Sequence, residues 1–425
     1  MKKFFALLLA LSLTISLCGC GQKDQPADEI EEKNYESEKI LFDCFTEIPD
    51  YSLNEGASTQ EIRDMAVKAM NDELTVPWFT ARDFTYGKSV NKNSEIFEFK
   101  ATENYKGLPY TGAGVGLLHW LQFYDFNSGL LTGIDLSQVG DKLGNSCASS
   151  VYWGWSAVAP SFKGVATYHM LPQYGALKVG NYKMDEKLAT FKNYSTEQIC
   201  IDNGAAVMYD AYAKTLPADG LVSIPKKGSG DHAMMVSFEP QVSYTATGEI
   251  DGKNSFLIIQ DQRAGHRDYK GDYIKDEESA IYHYGGRVSA IVSFEKLFNE
   301  GYIPFTLPEF IGTKPYVVPQ VMTSNSKPKS LEEVWNTVFS CDYKMINVSI
   351  TVTNKKTGKE VVTNKKIMFN EDIKSKKAFN TKIGQAVAKS TVEQKLKKGT
   401  TYNVKVSSLI ATGQTFTPID VDIKY

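Results

Sequence analysis

The hydrophobic period changes partway along the chain, and that change limits what it can fold into. In the first half apolar residues recur at helical spacing. Ile62, Met65, Ala66, Ala69 and Met70 follow a capping box at Ser58-Thr59-Gln60-Glu61. Val151, Trp153, Trp155 and Val158 predict a second, buried helix. Trp78 to Tyr110 is aromatic and broken by Gly and Asn, so loops and short strands are expected there, and Leu117 to Tyr124 predicts a short helix. Beyond residue 232 the pattern turns to strands at Ala233 to Phe238, Ser255 to Ile259 and Val288 to Phe294, with a short helix from Phe294 to Phe298. A helix-bearing half followed by an antiparallel sheet is an α+β arrangement.

Three prolines (Pro315, Pro319 and Pro328) mark a linker expected over residues 319–332. Past it, Ile346, Val348, Ile350 and Val352 alternate before a Lys-Thr-Gly turn. Thr401 to Val406, then Val421 and Ile423, repeat the alternation. This spacing over residues 333–425 resembles a small all-β immunoglobulin-like sandwich. From Ser326 onward the chain carries 18 Lys and 9 acidic residues, against −3 for the whole chain, so the remainder is acidic. The basic end has two readings: attraction to anionic wall polymers or lipid headgroups, or lysines that block edge-to-edge strand pairing.

Residues 1–20 form a targeting signal: Lys2 and Lys3, an apolar run from Phe4 to Leu17, then Leu17-Cys18-Gly19-Cys20. The ending resembles the bacterial lipobox, which implies cleavage before Cys20, a lipid on that cysteine, and the extracytoplasmic face of a bacterial membrane. An ordinary secretory signal or an anchor helix is the plainer alternative. Residues 21–40 are acidic and polar and read as a flexible tether. The first folded part is then expected over residues 41–318.

Outside the signal the cysteines are Cys44, Cys147, Cys200 and Cys341, with no CxxC spacing, so no metal site is expected. A Cys44–Cys200 disulfide is conceivable; free buried thiols are the simpler expectation. Cys147 stands apart. Gly144-Asn145-Ser146 leads into a helix that begins at the cysteine, where unpaired N–H groups stabilise a thiolate. Gly230-Asp231-His232-Ala233 puts a histidine at the mouth of an apolar strand, in a context none of His119, His169, His266 and His283 shares. One such cysteine and one such histidine point to nucleophilic catalysis. If the histidine strand pairs with Ser255–Ile259 so that Phe238 faces Phe256, His232 falls beside Asp261 or Gln262. Asp261 is preferred because a carboxylate stabilises an imidazolium; one residue of slip exchanges the two.

The Cys-small-Ser run, the Gly-Asp-His strand and the following acid or amide resemble the papain-like superfamily, in particular its NlpC-type and CHAP-type cell-wall peptidases and amidases. Gly107-Leu108-Pro109-Tyr110 is similar to a segment those families place before the nucleophile. The resemblance implies Cys147 as nucleophile, His232 as base, Asp261 as orienter with Gln262 as alternative, and an oxyanion hole at the Cys147 N–H. Tyr110, Ser146 and Trp153 are expected to line the site. Ser146 and Ala148 depart from the Asp and Ser usual there. The implied substrate is an amide in a peptidoglycan stem peptide, with no metal, cofactor or nucleic acid. Two other readings stand beside it: a peptidase acting on peptides or proteins, with Trp78, Phe79, Phe84 and Tyr86 lining a groove, and an inactive wall-binding lipoprotein.

Overall fold

The capping box forms as the sequence predicts and starts the long helix Thr59–Thr75. Ser58 Oγ accepts the Glu61 N–H at 3.3 Å while the Glu61 carboxylate accepts the Ser58 N–H at 2.8 Å. Its inner face buries Ile62, Ala66, Ala69, Met70, Glu73 and Leu74. Against it lies the helix Cys147–Ser156, every residue of which is buried. Gly154 permits that approach: a Cβ there would meet Met70 Cβ at 2.9 Å. The computed structural model describes residues 45–425 except 91–92, 102, 163, 165, 172–175, 185–194, 226–229 and 268–282. The signal segment, Cys20, Cys44 and the tether lie outside the described residues.

Strands in the first three-quarters of the chain are β1 (Pro77–Thr80), β2 (Phe84–Val90), β3 (Asn93–Phe99), β4 (Tyr105–Lys106), β5 (Leu130–Leu131) and β6 (Leu177–Lys178). They continue as β7 (Gly220–Ser223), β8 (His232–Val236), β9 (Phe256–Arg267), β10 (His283–Ser293) and β11 (Ile303–Thr306). β2 and β3 make a separate hairpin; the other nine form one sheet in the order β5-β1-β4-β10-β9-β8-β7-β11-β6. The centre, β10-β9-β8-β7, is antiparallel, while β4 joins β10 and β5 joins β1 in parallel. The β8–β9 register pairs Met235 with Gln260 and Val236 with Ile259, one residue away from the register expected from the sequence. Of the aromatics expected to line a groove, Trp78 and Phe84 are core instead, Phe79 is half-buried, and the Tyr86 side chain lies outside the described residues. Trp78 stacks on Tyr105 with centroids 4.7 Å apart and donates its indole N–H to Gly107 O at 2.8 Å, and Phe84 is buried against Phe99.

After residue 320 come β12 (Val321–Thr323), β13 (Val338–Cys341), β14 (Asn347–Asn354), β15 (Glu360–Ile367), β16 (Asn380–Lys382), β17 (Thr401–Leu409) and β18 (Thr415–Lys424). They build a three-stranded sheet, β12-β13-β16, and a four-stranded antiparallel sheet, β15-β14-β17-β18. Val348, Ile350, Val352, Val404, Val406 and Ile419 fill its inner face, as the alternation predicts. Two expectations need correction. Residues 319–332 contain β12 and the start of the helix Leu331–Asn336, which Ser330 caps, so they are structured chain. The region beyond is mixed rather than all-β, because the short helices Asn370–Lys374, Ile383–Ala386 and Lys389–Glu393 connect its strands.

The C-terminal sheets pack on the back of the Cys147 helix. Lys344 is fully buried, donates from Nζ to Ser156 Oγ at 2.9 Å, and sits 4.4 Å from the Tyr152 ring centroid. His119 Nε2 donates to Met368 O at 2.9 Å, and its ring meets Trp153 edge-on at 4.9 Å. Burial pushes the His119 pKa down to about 4, more than the Met368 hydrogen bond restores, so the imidazole is neutral.

Candidate active site

Cys147 occupies the first turn of its helix, with Ser146 as N-cap. The cap is locked locally: Ser149 Oγ accepts the Ser146 N–H at 2.6 Å and lies 3.1 Å from Ser146 Oγ. Gly144 supplies the turn into this segment with φ of +92°, and a Cβ there would sit 2.4 Å from Pro109 O. The Gly107–Tyr110 segment, remote in sequence, is adjacent in space. Asn145 N–H donates to Pro109 O at 3.2 Å, Thr111 N–H donates to Asn145 O at 2.7 Å, and Tyr110 bridges to Asn145. The backbone of Tyr110 therefore runs beside the residues that precede the nucleophile. Trp153 is placed elsewhere. It is buried, donates to Gly114 O at 2.9 Å and packs toward His119 and Lys344, so its role is packing.

β8 starts at His232, and the observed register makes Asp261 its diagonal neighbour on the same sheet face. His232 Nε2 donates to Asp261 Oδ2 at 2.7 Å. A carboxylate only accepts, so Nε2 carries the proton and Nδ1 is the nitrogen left to face the thiol. Gln262, one residue on, turns to the opposite face and donates to Leu108 O at 2.6 Å, supporting the Gly107–Tyr110 segment instead. Alternation along β9 thus gives the two candidates different work.

Sequence reasoning missed two partners of Asp261. Arg287, directly opposite it on β10, donates from Nε to Oδ1 at 2.9 Å and from Nη2 to Oδ2 at 3.0 Å. Arg263, two residues along β9, donates from Nε to Oδ2 at 2.8 Å. Asp261 is completely buried, which by itself raises a carboxyl pKa. The charges of Arg287 and Arg263, then His232, outweigh burial and hold it well below the usual carboxylate range. Arg263 was detectable as the i+2 residue on one strand face. Arg287 needed the β9–β10 pairing, its only sequence signal being a charge leading into an apolar strand.

The electrostatics single out Cys147 among the described cysteines. Burial pushes the thiol of Cys200 up to about 12 and that of Cys341 up to about 11. Burial also disfavours a Cys147 thiolate. The hydrogen bond and charge of His232, followed by the N–H groups of Ala233 and Ala148, outweigh it and lower the pKa. On the other side, burial lowers the His232 pKa, yet Asp261 and Cys147 raise it to about 9. The two shifts run in the direction of an imidazolium–thiolate pair. Among the described residues Cys200 has no disulfide partner, and its thiol donates to Tyr302 O at 3.5 Å.

A further buried acid shapes the approach to the nucleophile. Glu73 accepts the Leu117 N–H at 3.3 Å and the Asn145 side-chain amide, and burial lifts its pKa to about 8 despite these bonds and the nearby Ser150 hydroxyl. Its position on the apolar face of the long helix was the available signal. Among the described residues no helix is long and apolar enough to cross a membrane. Set against known families and curated proteins, the sequence shows no match to a family model and none to a curated protein.

Proposed function

We propose that this chain is a lipid-anchored cysteine hydrolase on the extracytoplasmic face of a bacterial membrane, cleaving amide bonds in peptidoglycan stem peptides. In this reading the first part is a papain-like catalytic fold and the C-terminal sheets an immunoglobulin-like pair. One observation carries it. His232 is fixed through Nε2 on buried Asp261 at 2.7 Å, with Nδ1 left for a thiol whose pKa is lowered at a helix N-terminus. The lipid anchor, membrane face and stem-peptide substrate rest on the lipobox-like ending at Cys20 and the motif resemblance.

The chemistry follows from that pair. The Cys147 thiolate adds to the amide carbonyl carbon, and the carbonyl π electrons move to oxygen, facing the N–H groups of the first helical turn. Collapse breaks the C–N bond while the His232 imidazolium delivers its proton to the leaving amine. Neutral His232 then takes a proton from water as the water attacks the thioester. The C–S bond breaks, a carboxylic acid leaves and the ion pair is restored.

The test is the pH dependence of Cys147 alkylation by iodoacetamide in the wild type and in His232→Ala. The reading expects a thiolate plateau well below the free-thiol value of about 8.5, lost in the variant. It also expects hydrolysis to fall as pH rises through about 9, where His232 loses its proton. An ordinary alkylation profile that His232→Ala leaves unchanged sinks it.

A further inference from the structure

Strand register gathers lysines at one end of the four-stranded C-terminal sheet. Lys355, Lys356 and Lys359 occupy the β14–β15 turn, Lys397 and Lys398 lead into β17, and Lys424 closes β18. Asn354 pairs with Tyr402 and Thr401 with Lys424, so these segments lie side by side. Lys355 N–H donates to Thr401 O at 3.1 Å, and Gly399 N–H donates to Tyr425 O at 2.6 Å. The cluster runs across all four strands, and all six lysines are exposed. The acids at this end are Glu360, Asp422 and the carboxylate of the last residue, Tyr425, so six cations face three anions. Among the described residues only Lys355 of the six makes an ion pair, with Asp422. Lys405, Lys366 and Lys389, elsewhere on these sheets, are matched by Asp420, Asp372 and Glu332.

Protection of strand edges does not account for this placement. Lysines that block edge pairing lie along the outer strands, here β15 and β18. Only Lys424 of the six lies on one; the other five stand in the loops at the strand ends. The residue type narrows the partner. Beyond Ser326 every Lys or Arg is a lysine. An ammonium is a point charge on a flexible stem, without the planar fork by which arginine grips a single anion. Such charges spread over four strands, roughly 14 Å at the usual strand spacing, suit successive phosphates along a chain better than one anion.

The chain enters the fold at the opposite end of the sheet, where Tyr51 N–H donates to Thr412 O at 2.7 Å in the β17–β18 turn. β17 has nine residues, so the lysines stand about 30 Å from that entry. With the lipid anchor proposed above, they point away from the bilayer. We infer that this end of the C-terminal sheet binds a flexible anionic polymer carrying repeated phosphate groups, an interaction that stands apart from the cysteine–histidine chemistry.

The test is calorimetric binding of long-chain polyphosphate to the full chain at low and at physiological salt. It compares wild type, Lys356→Glu/Lys398→Glu and, as a control of equal charge, Lys374→Glu/Lys377→Glu, whose sites follow β15 at its far end. Affinity is expected to fall at least about tenfold in the first variant and less than about threefold in the control, and to weaken steeply with salt as counterions are released. Equal losses in both variants would mean that net charge alone is read, and would overturn the inference. Absence of polyphosphate binding overturns it too, as does orthophosphate that competes fully at equal phosphate concentration. Phosphatidylglycerol vesicles, with phosphatidylcholine as the neutral control, distinguish the other source of phosphate. Capture by the anionic vesicles without polyphosphate binding would assign the lysines to a membrane surface and reject the polymer. Every arm is read without hydrolysis, so the outcome is the same whether or not Cys147 is a nucleophile.

Discussion

Asp261 is where function and stability meet in one side chain. It is wholly buried and carries His232, Arg263 and Arg287, the last also buried. Removing its charge while keeping its shape strands a buried guanidinium, a loss of about 3–5 kcal/mol. It also withdraws the main support for the His232 imidazolium, so less thiolate is present at neutral pH. Asp261→Asn is therefore expected to lower the urea midpoint substantially and to move the Cys147 alkylation profile toward that of an ordinary thiol. Urea titration and alkylation of the same sample read both effects. An unchanged midpoint would mean that the arginines find other partners and that the charge cluster around Asp261 is not what holds them.

At the scale of elements, one turn of the helix Thr59–Thr75 holds three segments around the nucleophile. The Glu73 carboxyl holds Asn145 and the Leu117 N–H, Glu73 O accepts the Leu108 N–H at 3.2 Å, and Gly107 fits beneath Leu74 O, where a Cβ would sit at 2.5 Å. The folded pKa of Glu73, about 8, lies above its ordinary value. The folded state therefore binds the extra proton, and the stability this confers is complete below the unfolded value near 4.5 and lost as pH rises through 8. Glu73→Gln keeps a neutral, hydrogen-bonding side chain and removes that slope. Unfolding free energies of wild type and variant from urea titration are expected to diverge from pH 5 to pH 9, by on the order of 3 kcal/mol in favour of the glutamine. Parallel profiles would mean that Glu73 ionises freely in the fold. The same scale shows how legible the site was. The cap at Ser58, the helix at Cys147 and the strand at His232 depend on near neighbours, and they stood in the sequence. The choice between Asp261 and Gln262 depends on the β8–β9 register, and the alternation pattern left that open by one residue.

For the whole molecule, the C-terminal sheets and the nucleophile helix share one buried core. Lys344 reaches Ser156 and the Tyr152 face, and Asn347 donates to Gln122 at 2.8 Å. From the other side, Tyr51 N–H donates to Thr412 O at 2.7 Å. The two parts are thus expected to unfold together, in one calorimetric transition. Lys344→Ala empties a long buried side chain and leaves Ser156 without its donor. It should cost about 2–4 kcal/mol and lower that single transition. Two separate transitions, with only one displaced by the substitution, would show that the halves fold independently.

The sequence by itself determined the local framework: a capped helix, a second helix beginning at Cys147, a strand opening at His232 and a run of alternating strands at the C-terminal end. Each follows from periodicity and capping among residues close in the chain. Tertiary structure alone decided the rest. It placed Tyr110 beside Asn145, sent Trp153 and Trp78 into the core, chose Asp261 over Gln262, surrounded it with Arg263 and Arg287, and seated Lys344 on the nucleophile helix. These outcomes turn on strand register and on which distant faces pack together. A carboxylate or guanidinium has the same local signature whether it meets water or a buried partner, and only packing distinguishes the two.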